Sequence, residues 1–138
     1  MTHRLFVDTA PLLYAVGGAH PLRAPCRALL TASAEGRVEL HASVEVVQEF
    51  LFHRLRRDDR PRAVAAARAV REALVLHPFD ASVVSAMVDL VESSGIGGRD
   101  AVHAATALAA GFGEIVSTDS DLDVVRGLRR LSPDALQW

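Results

Sequence analysis

Short apolar runs alternate along this chain with longer stretches in which apolar residues recur every three or four positions, and that alternation leaves few folds open. RLFVD (4–8), VELHAS (38–43) and GEIVSTD (113–119) have the length and apolar content of strands, and VLHPF (75–79) reads as a short strand or an extended connection. Helix patterns fill the intervals. One opens at Thr9 and Pro11, carries Leu12, Leu13 and Val16, and stops at Gly17 and Gly18; a second runs from after Pro21 to about Ser33, with Gly36 closing it. Ser43 is placed to cap a third, striped by Val46, Val47, Phe50, Leu51 and Leu55, and Pro61 opens a fourth that reaches Leu74. Asp80 or Ser82 caps a fifth, striped by Val83, Val84, Met87, Leu90 and Val91, and an Ala-rich sixth runs from about Arg99 to Ala110. A short helix around 121–126 and an edge strand at LRRL complete the pattern. Strands separated by helices cannot pair as hairpins, so the expectation is an α/β layer structure on a mainly parallel sheet.

At 138 residues the chain is long enough for one buried core and too short for two, which predicts a single domain spanning 1–138. Half the residues are apolar and 23% are charged, as in an ordinary globular protein. Leu5 to Val7 is too short for a signal core and no apolar run reaches membrane-spanning length, so a soluble, cytoplasmic protein without membrane contact is expected. Cys26 is the only cysteine, which excludes an intramolecular disulfide and any cysteine-based zinc site. The six histidines form no HExxH or His-x-His pair.

Four carboxylates stand at separate points of this pattern. Asp8 closes the first strand and Asp119 the last clear one, and in open parallel sheets ligands bind beyond the carboxyl ends of the strands, where the strand order reverses. Glu49 lies about 60° around its helix from Val46, at the margin of the apolar stripe, and Asp100 sits in a first helical turn whose own face carries His103, Ala104, Ala107 and Gly111. Both can face the same sheet edge. Carboxylates gathered in one pocket repel one another and lose hydration, so a cation must offset them or some must stay protonated. All-oxygen ligation points to a hard divalent ion, Mg²⁺ or Mn²⁺. Each acid also has a plainer role open to it: Asp8 or Thr9 as a helix cap, Asp100 as a first-turn acid favoured by the helix dipole, Glu49 as the equivalent of its solvated neighbour Glu45, and Asp119 as one of a run with Asp121 and Asp123 behind a Ser120–Asp123 capping pair.

VDT near the start, VVQEFL on the third helix, GRDAVHAATAL opening the sixth and IVSTDSDLD after the last strand occur in an order and spacing that resemble the PIN domain, specifically the VapC-type toxins of bacterial toxin–antitoxin pairs. The resemblance covers nearly the whole chain. It implies a three-layer α/β/α sandwich, an endoribonuclease dependent on Mg²⁺ or Mn²⁺, a homodimer, an RNA substrate, and a cognate antitoxin that holds the enzyme inactive. The family's metal-site acids fall on Asp8, Glu49, Asp100 and Asp119, with Asp121 at a variable acidic position and Thr9 or Thr118 as hydroxyls that orient the ligands. Asp8, Asp100 and Asp119 are expected as ligands, and Glu49 as a ligand or as the acceptor of the attacking water's proton. Ala10 after VDT and Leu122 in the last motif depart from the family pattern without touching those acids. The alternative is a PIN-like RNA-binding or protein-interaction module that has lost catalysis.

All fifteen basic residues are arginine, so no chemistry that needs an active-site lysine is available, and the receiver and haloacid-dehalogenase classes, which also place an Asp at a strand end, are disfavoured. The net charge of −2 advertises no general affinity for nucleic acid, so any such contact must come from a local patch. HRLRRDDRPR (53–62) is the candidate, against the reading of a solvated helix end and turn. His103 among alanines reads first as structural and second as a residue that touches phosphate or steers a ligand; Arg99 either meets phosphate or is an exposed first-turn residue. Leu12, Leu13, Tyr14 and Val16 are either core or a partner surface.

Overall fold

The computed structural model describes residues 2–137. Its five strands are β1 (His3–Val7), β2 (Val38–Ser43), β3 (Leu74–His77), β4 (Glu114–Val116) and β5 (Arg129–Leu131), all parallel in the order β3-β2-β1-β4-β5. Six helices connect them: α1 (Thr9–Val16), α2 (Arg23–Ala34), α3 (Val44–Arg57), α4 (Arg60–Ala73), α5 (Ala81–Ser94) and α6 (Gly98–Ala109). The chain builds outward from β1 to β3, then returns to lay β4 against the other side of β1. The strand order therefore reverses between β1 and β4, and Asp8 and Asp119 follow those two strands as the sequence predicts.

Alternation along β1 splits the core into two layers. Leu5 and Val7 face one side with Leu12, Leu29, Leu40, Val46, Phe50 and Val70, under α1 to α4. Phe6 faces the other with Ile96, Ala101, Ala104, Ile115 and Leu122, under α6. This is the expected three-layer sandwich. The alanines of α6 let it lie close to the sheet, and α5 packs on the outside of α6.

Most helix boundaries follow the local signals. Ser43 caps α3 by accepting from Glu45 N–H at 3.1 Å, Asp80 caps α5 by accepting from Val83 N–H at 3.1 Å, and VLHPF supplies β3. The fourth helix starts one residue earlier than expected because Asp59 caps it, accepting from Arg62 N–H at 2.9 Å. The segment expected as a short helix is a 3-10 turn, Ser120–Val124, and its cap is Asp119, not Ser120.

Two apolar stripes depart from expectation. On α5 only Val83 is buried, with Met87 and Leu90 packed at the edge of the core, while Val84, Val88 and Val91 remain exposed, because α6 covers one narrow face of α5 and the rest is left open among the described residues. Leu55, expected in the α3 stripe, is also exposed. The partner surface suggested on α1 resolves mostly into core: Leu12 is 1% exposed, and Leu13 and Val16 pack against the same cluster.

Candidate metal centre

Asp8 is the N-cap of α1, and it joins the pocket without leaving that role. Its Oδ1 accepts from Thr9 N–H at 2.7 Å, while Oδ2 accepts from the Ser117 hydroxyl at 2.7 Å. Ser117, fully buried just past β4, also accepts from Asp119 N–H at 3.0 Å through the same oxygen. One hydroxyl thus fixes the carboxylate after β1 against the backbone that carries Asp119. The neighbouring Thr118, one of the two hydroxyls suggested by resemblance, has no side-chain hydrogen bond among the described residues; Thr9, the other, donates to Glu49 Oε1 at 3.3 Å.

Beyond β4 the 3-10 turn aims its acids in different directions. Asp119 Oδ1 accepts from Asp121 N–H at 2.9 Å, and Asp100, Asp119 and Asp121 each bring a carboxylate oxygen within 4.8 Å of the other two. Asp123 of the same run is drawn away by Arg130, whose Nε donates to it at 2.9 Å. Asp121, a subsidiary position in the sequence, therefore belongs to the tightest acid group, whereas Asp8 and Glu49 border it.

Asp100 carries the electrostatic cost. Burial, and then the charges of Asp119 and Asp8, a hydrogen bond with Asp119 and the charge of Asp121, push its carboxyl up to about 6. Burial leads that shift and crowded negative charge adds to it, and a bound cation would offset the charge. The donor set, all carboxylate oxygen in a partly buried cleft, fits a hard divalent ion.

Glu49 is occupied differently. His103 Nε2 binds its Oε1 in a short contact, and Arg99 donates to Oε2 at 3.3 Å. Burial alone would push the Glu49 carboxyl up, but the His103 hydrogen bond and charge, with Arg99 and Thr9, outweigh it and hold the carboxyl below its ordinary value. The reciprocal holds for His103: burial works against its charged form, yet Glu49 and the charges of Asp8 and Asp100 raise it. His103 Nε2 also lies 3.7 Å from Asp8 Oδ1. The histidine ranked first as structural is thus the hub between α6, α3 and Asp8, and its signal in the sequence was its spacing of one turn from Asp100. Ser117 gave less warning, since a strand-end serine resembles any other.

A parallel sheet with carboxylates collected at its switch point defines a class, and comparison with known proteins agrees with it. The PIN domain family model matches residues 5–128, and the chain belongs to that family. It is 36% identical to Ribonuclease VapC7 of Mycobacterium tuberculosis over 134 residues, 95% of this chain and 92% of that protein. Identity to Ribonuclease VapC23 of the same species is 34% over 119 residues, 86% of this chain and 94% of that protein. Among solved structures, the fold is similar to VapBC2 from Rickettsia felis bound to a promoter DNA fragment, with a TM-score of 0.72, 17% identity, and coverage of 94% of this chain and 98% of that one. It is also similar to VapC20 of M. tuberculosis, a sarcin-ricin loop cleaving toxin, with a TM-score of 0.69, 19% identity, and coverage of 86% and 92%.

Proposed function

We propose that this protein is an endoribonuclease that hydrolyses RNA phosphodiester bonds with Mg²⁺ or Mn²⁺, and that it is the toxin of a toxin–antitoxin pair. The observation that carries the reading is the group of three carboxylates within 4.8 Å of one another beside Asp8, at the switch point of a PIN-family sheet. The 36% identity to a VapC ribonuclease across nearly the whole chain supports the substrate class. The VapBC complexes among the structural neighbours support an antitoxin partner.

Asp100, Asp119 and Asp121 would hold the cation, with Asp8 completing the set directly or through water. When bound, such an ion lowers the pKa of the attacking water and offsets charge on the phosphate. The protein's own part is positional. Ser117 and Thr9 N–H fix Asp8, so that the acid meets the cation without rearrangement. Asp119 is held by its turn. Glu49, kept ionised by His103 and Arg99, orders both around the pocket, and its Oε2, which accepts only from Arg99, keeps acceptor capacity for a role as ligand or proton acceptor. The acid pocket would repel a polyanion on its own, so substrate binding and metal binding are coupled.

The homodimer belongs to the same reading. The exposed Val84, Val88 and Val91 share one face of α5, the spacing of a helix-pairing seam, and a second copy is the occupant the family resemblance implies.

The test is cleavage of RNA by purified protein with Mg²⁺ or Mn²⁺, after exhaustive chelation, and with Asp119→Asn. Activity should vanish with EDTA, return with metal, and fall by orders of magnitude in the variant. Cleavage that persists after chelation would overturn the metal assignment.

A further inference from the structure

The arginine-rich end of α3 borders a cleft of about 470 Å³ that the acid site does not use. Its walls include Ala10, Tyr14 and His20 from the α1 side, and His53, Arg54 and Arg57 from α3. Two relationships tie it to the acids. Ala10 stands two residues from Asp8, and α3, which carries Glu49 at the acid pocket, carries His53, Arg54 and Arg57 over its next two turns, about 6 to 12 Å further along the axis. The cleft therefore shares α3 with Glu49 and borders the start of α1, which Asp8 caps.

Its charges are incompletely satisfied. Arg54 gives one guanidinium nitrogen to Asp58 at 3.3 Å, yet its Nε is buried with no hydrogen-bond partner. Arg62 takes up further capacity of Asp58 and Asp59, which leaves Arg57 with no carboxylate within ion-pair distance among the described residues. An exposed guanidinium without a carboxylate partner, as at Arg57, is free to meet an anion in the cleft. The cleft also carries two aromatic rings: Tyr14 and His20 pack on one another, with centroids 4.5 Å apart and a tilt of 33°. His20 Nδ1 accepts from Leu22 N–H at 3.1 Å, so the neutral ring carries its proton on Nε2. Cationic donors and aromatic rings in one cleft are the groups a single-stranded nucleic acid uses, the first for phosphate and the second for bases.

We propose that this cleft is a substrate subsite that binds an RNA phosphodiester flanking the scissile one, through Arg54, Arg57 and His53, with the adjoining base on Tyr14 and His20. The proposal rests on the ribonuclease reading above. It gives HRLRRDDRPR a function and explains how a protein of net charge −2 holds RNA beside an acidic pocket.

The experiment uses the full chain. Binding of a fluorescein-labelled single-stranded RNA of mixed sequence is measured in Asp8→Asn protein with Mg²⁺, with and without Arg57→Gln, across a salt titration; Arg57→Lys is the conservative control. Arg57 is exposed, so folding is not at stake, and thermal unfolding verifies it. The subsite predicts roughly tenfold weaker binding for Arg57→Gln and a salt slope shallower by about 0.7, one single-strand phosphate contact, with Arg57→Lys recovering most of the slope. In otherwise unsubstituted protein, Arg57→Gln should raise KM for RNA and leave kcat near its original value. An unchanged affinity and slope overturn the subsite while leaving the nuclease reading intact. Unchanged RNA binding with weakened capture of an acidic peptide reassigns the cleft to protein docking and also overturns it. Absence of any RNA binding and cleavage by the unsubstituted protein removes both readings.

Discussion

Ser117 donates its hydroxyl proton to Asp8 across 2.7 Å while accepting Asp119 N–H, so two acids contributed by opposite ends of the chain are positioned by a single oxygen. Ser117→Ala leaves a buried carboxylate oxygen and a backbone N–H without partners, and should cost about 1–3 kcal/mol of stability. The same change should raise the Mg²⁺ concentration needed for half-maximal cleavage. Chemical denaturation and a metal titration of activity read the two effects separately.

Stability of the metal-free protein should depend on pH through Asp100. Its carboxyl is raised to about 6 in the fold, above its ordinary unfolded value, so the folded state binds the proton more tightly and gains stability as pH falls through about 6. Above that pH the ionised carboxyl works against folding, and a cation relieves it. The rise in Tm on adding Mg²⁺ should therefore be large at pH 8 and shrink below pH 6, which differential scanning fluorimetry at fixed metal excess would show. An equal rise at pH 5 and pH 8 would count against the assignment.

His103→Gln should be destabilised by about 2 kcal/mol, as expected for loss of a charge-assisted hydrogen bond to Glu49. The sign of its pH dependence follows from the raised imidazole: the pair stabilises the fold below the ordinary histidine pKa, and that part is lost as pH rises through the folded value. The gap between variant and original protein should narrow at alkaline pH.

Val88→Asp places a charge in the middle of the exposed stripe of α5, where Val88 is 56% exposed. On the homodimer reading proposed above, it should leave a monomer in light scattering where the unsubstituted protein is a dimer, without lowering the monomer's Tm, because the side chain contributes nothing to the core. Val83→Asp, on the buried face of the same helix, should instead prevent folding.

Cys26 should be inert in the native state. Burial first, and the nearby Asp134 charge second, push its thiol up to about 11, and it is fully covered by α2's packing. Reaction with a thiol reagent at pH 8 should proceed only on unfolding.

The layer architecture was legible because each strand and helix carried a local signal, and strand ends in a parallel sheet have a fixed relation to the ligand edge. What lay hidden was set by tertiary contact. The family motif singled out Asp121 over Asp123 only as a variable position, and the contact that draws Asp123 away from the pocket is the Arg130 side chain, arriving from β5. The stripe of α5 gave the right helix with too broad a buried face, since periodicity records which residues are apolar and not how many neighbours exist to cover them. Ser117 matters through Asp8, 109 positions away, which no local pattern encodes, and the spacing of His103 from Asp100 marked the residue without naming Glu49, 54 positions away, as its partner.

The pairing of β1 with β4 also has a consequence for folding. Asp8 and Asp119 follow strands far apart in the sequence, and the oxygen that joins them belongs to the second of the two segments. A chain in which β4 has not yet docked on β1 holds the acids without the structure that positions them. The pocket is assembled only when that long-range pairing closes.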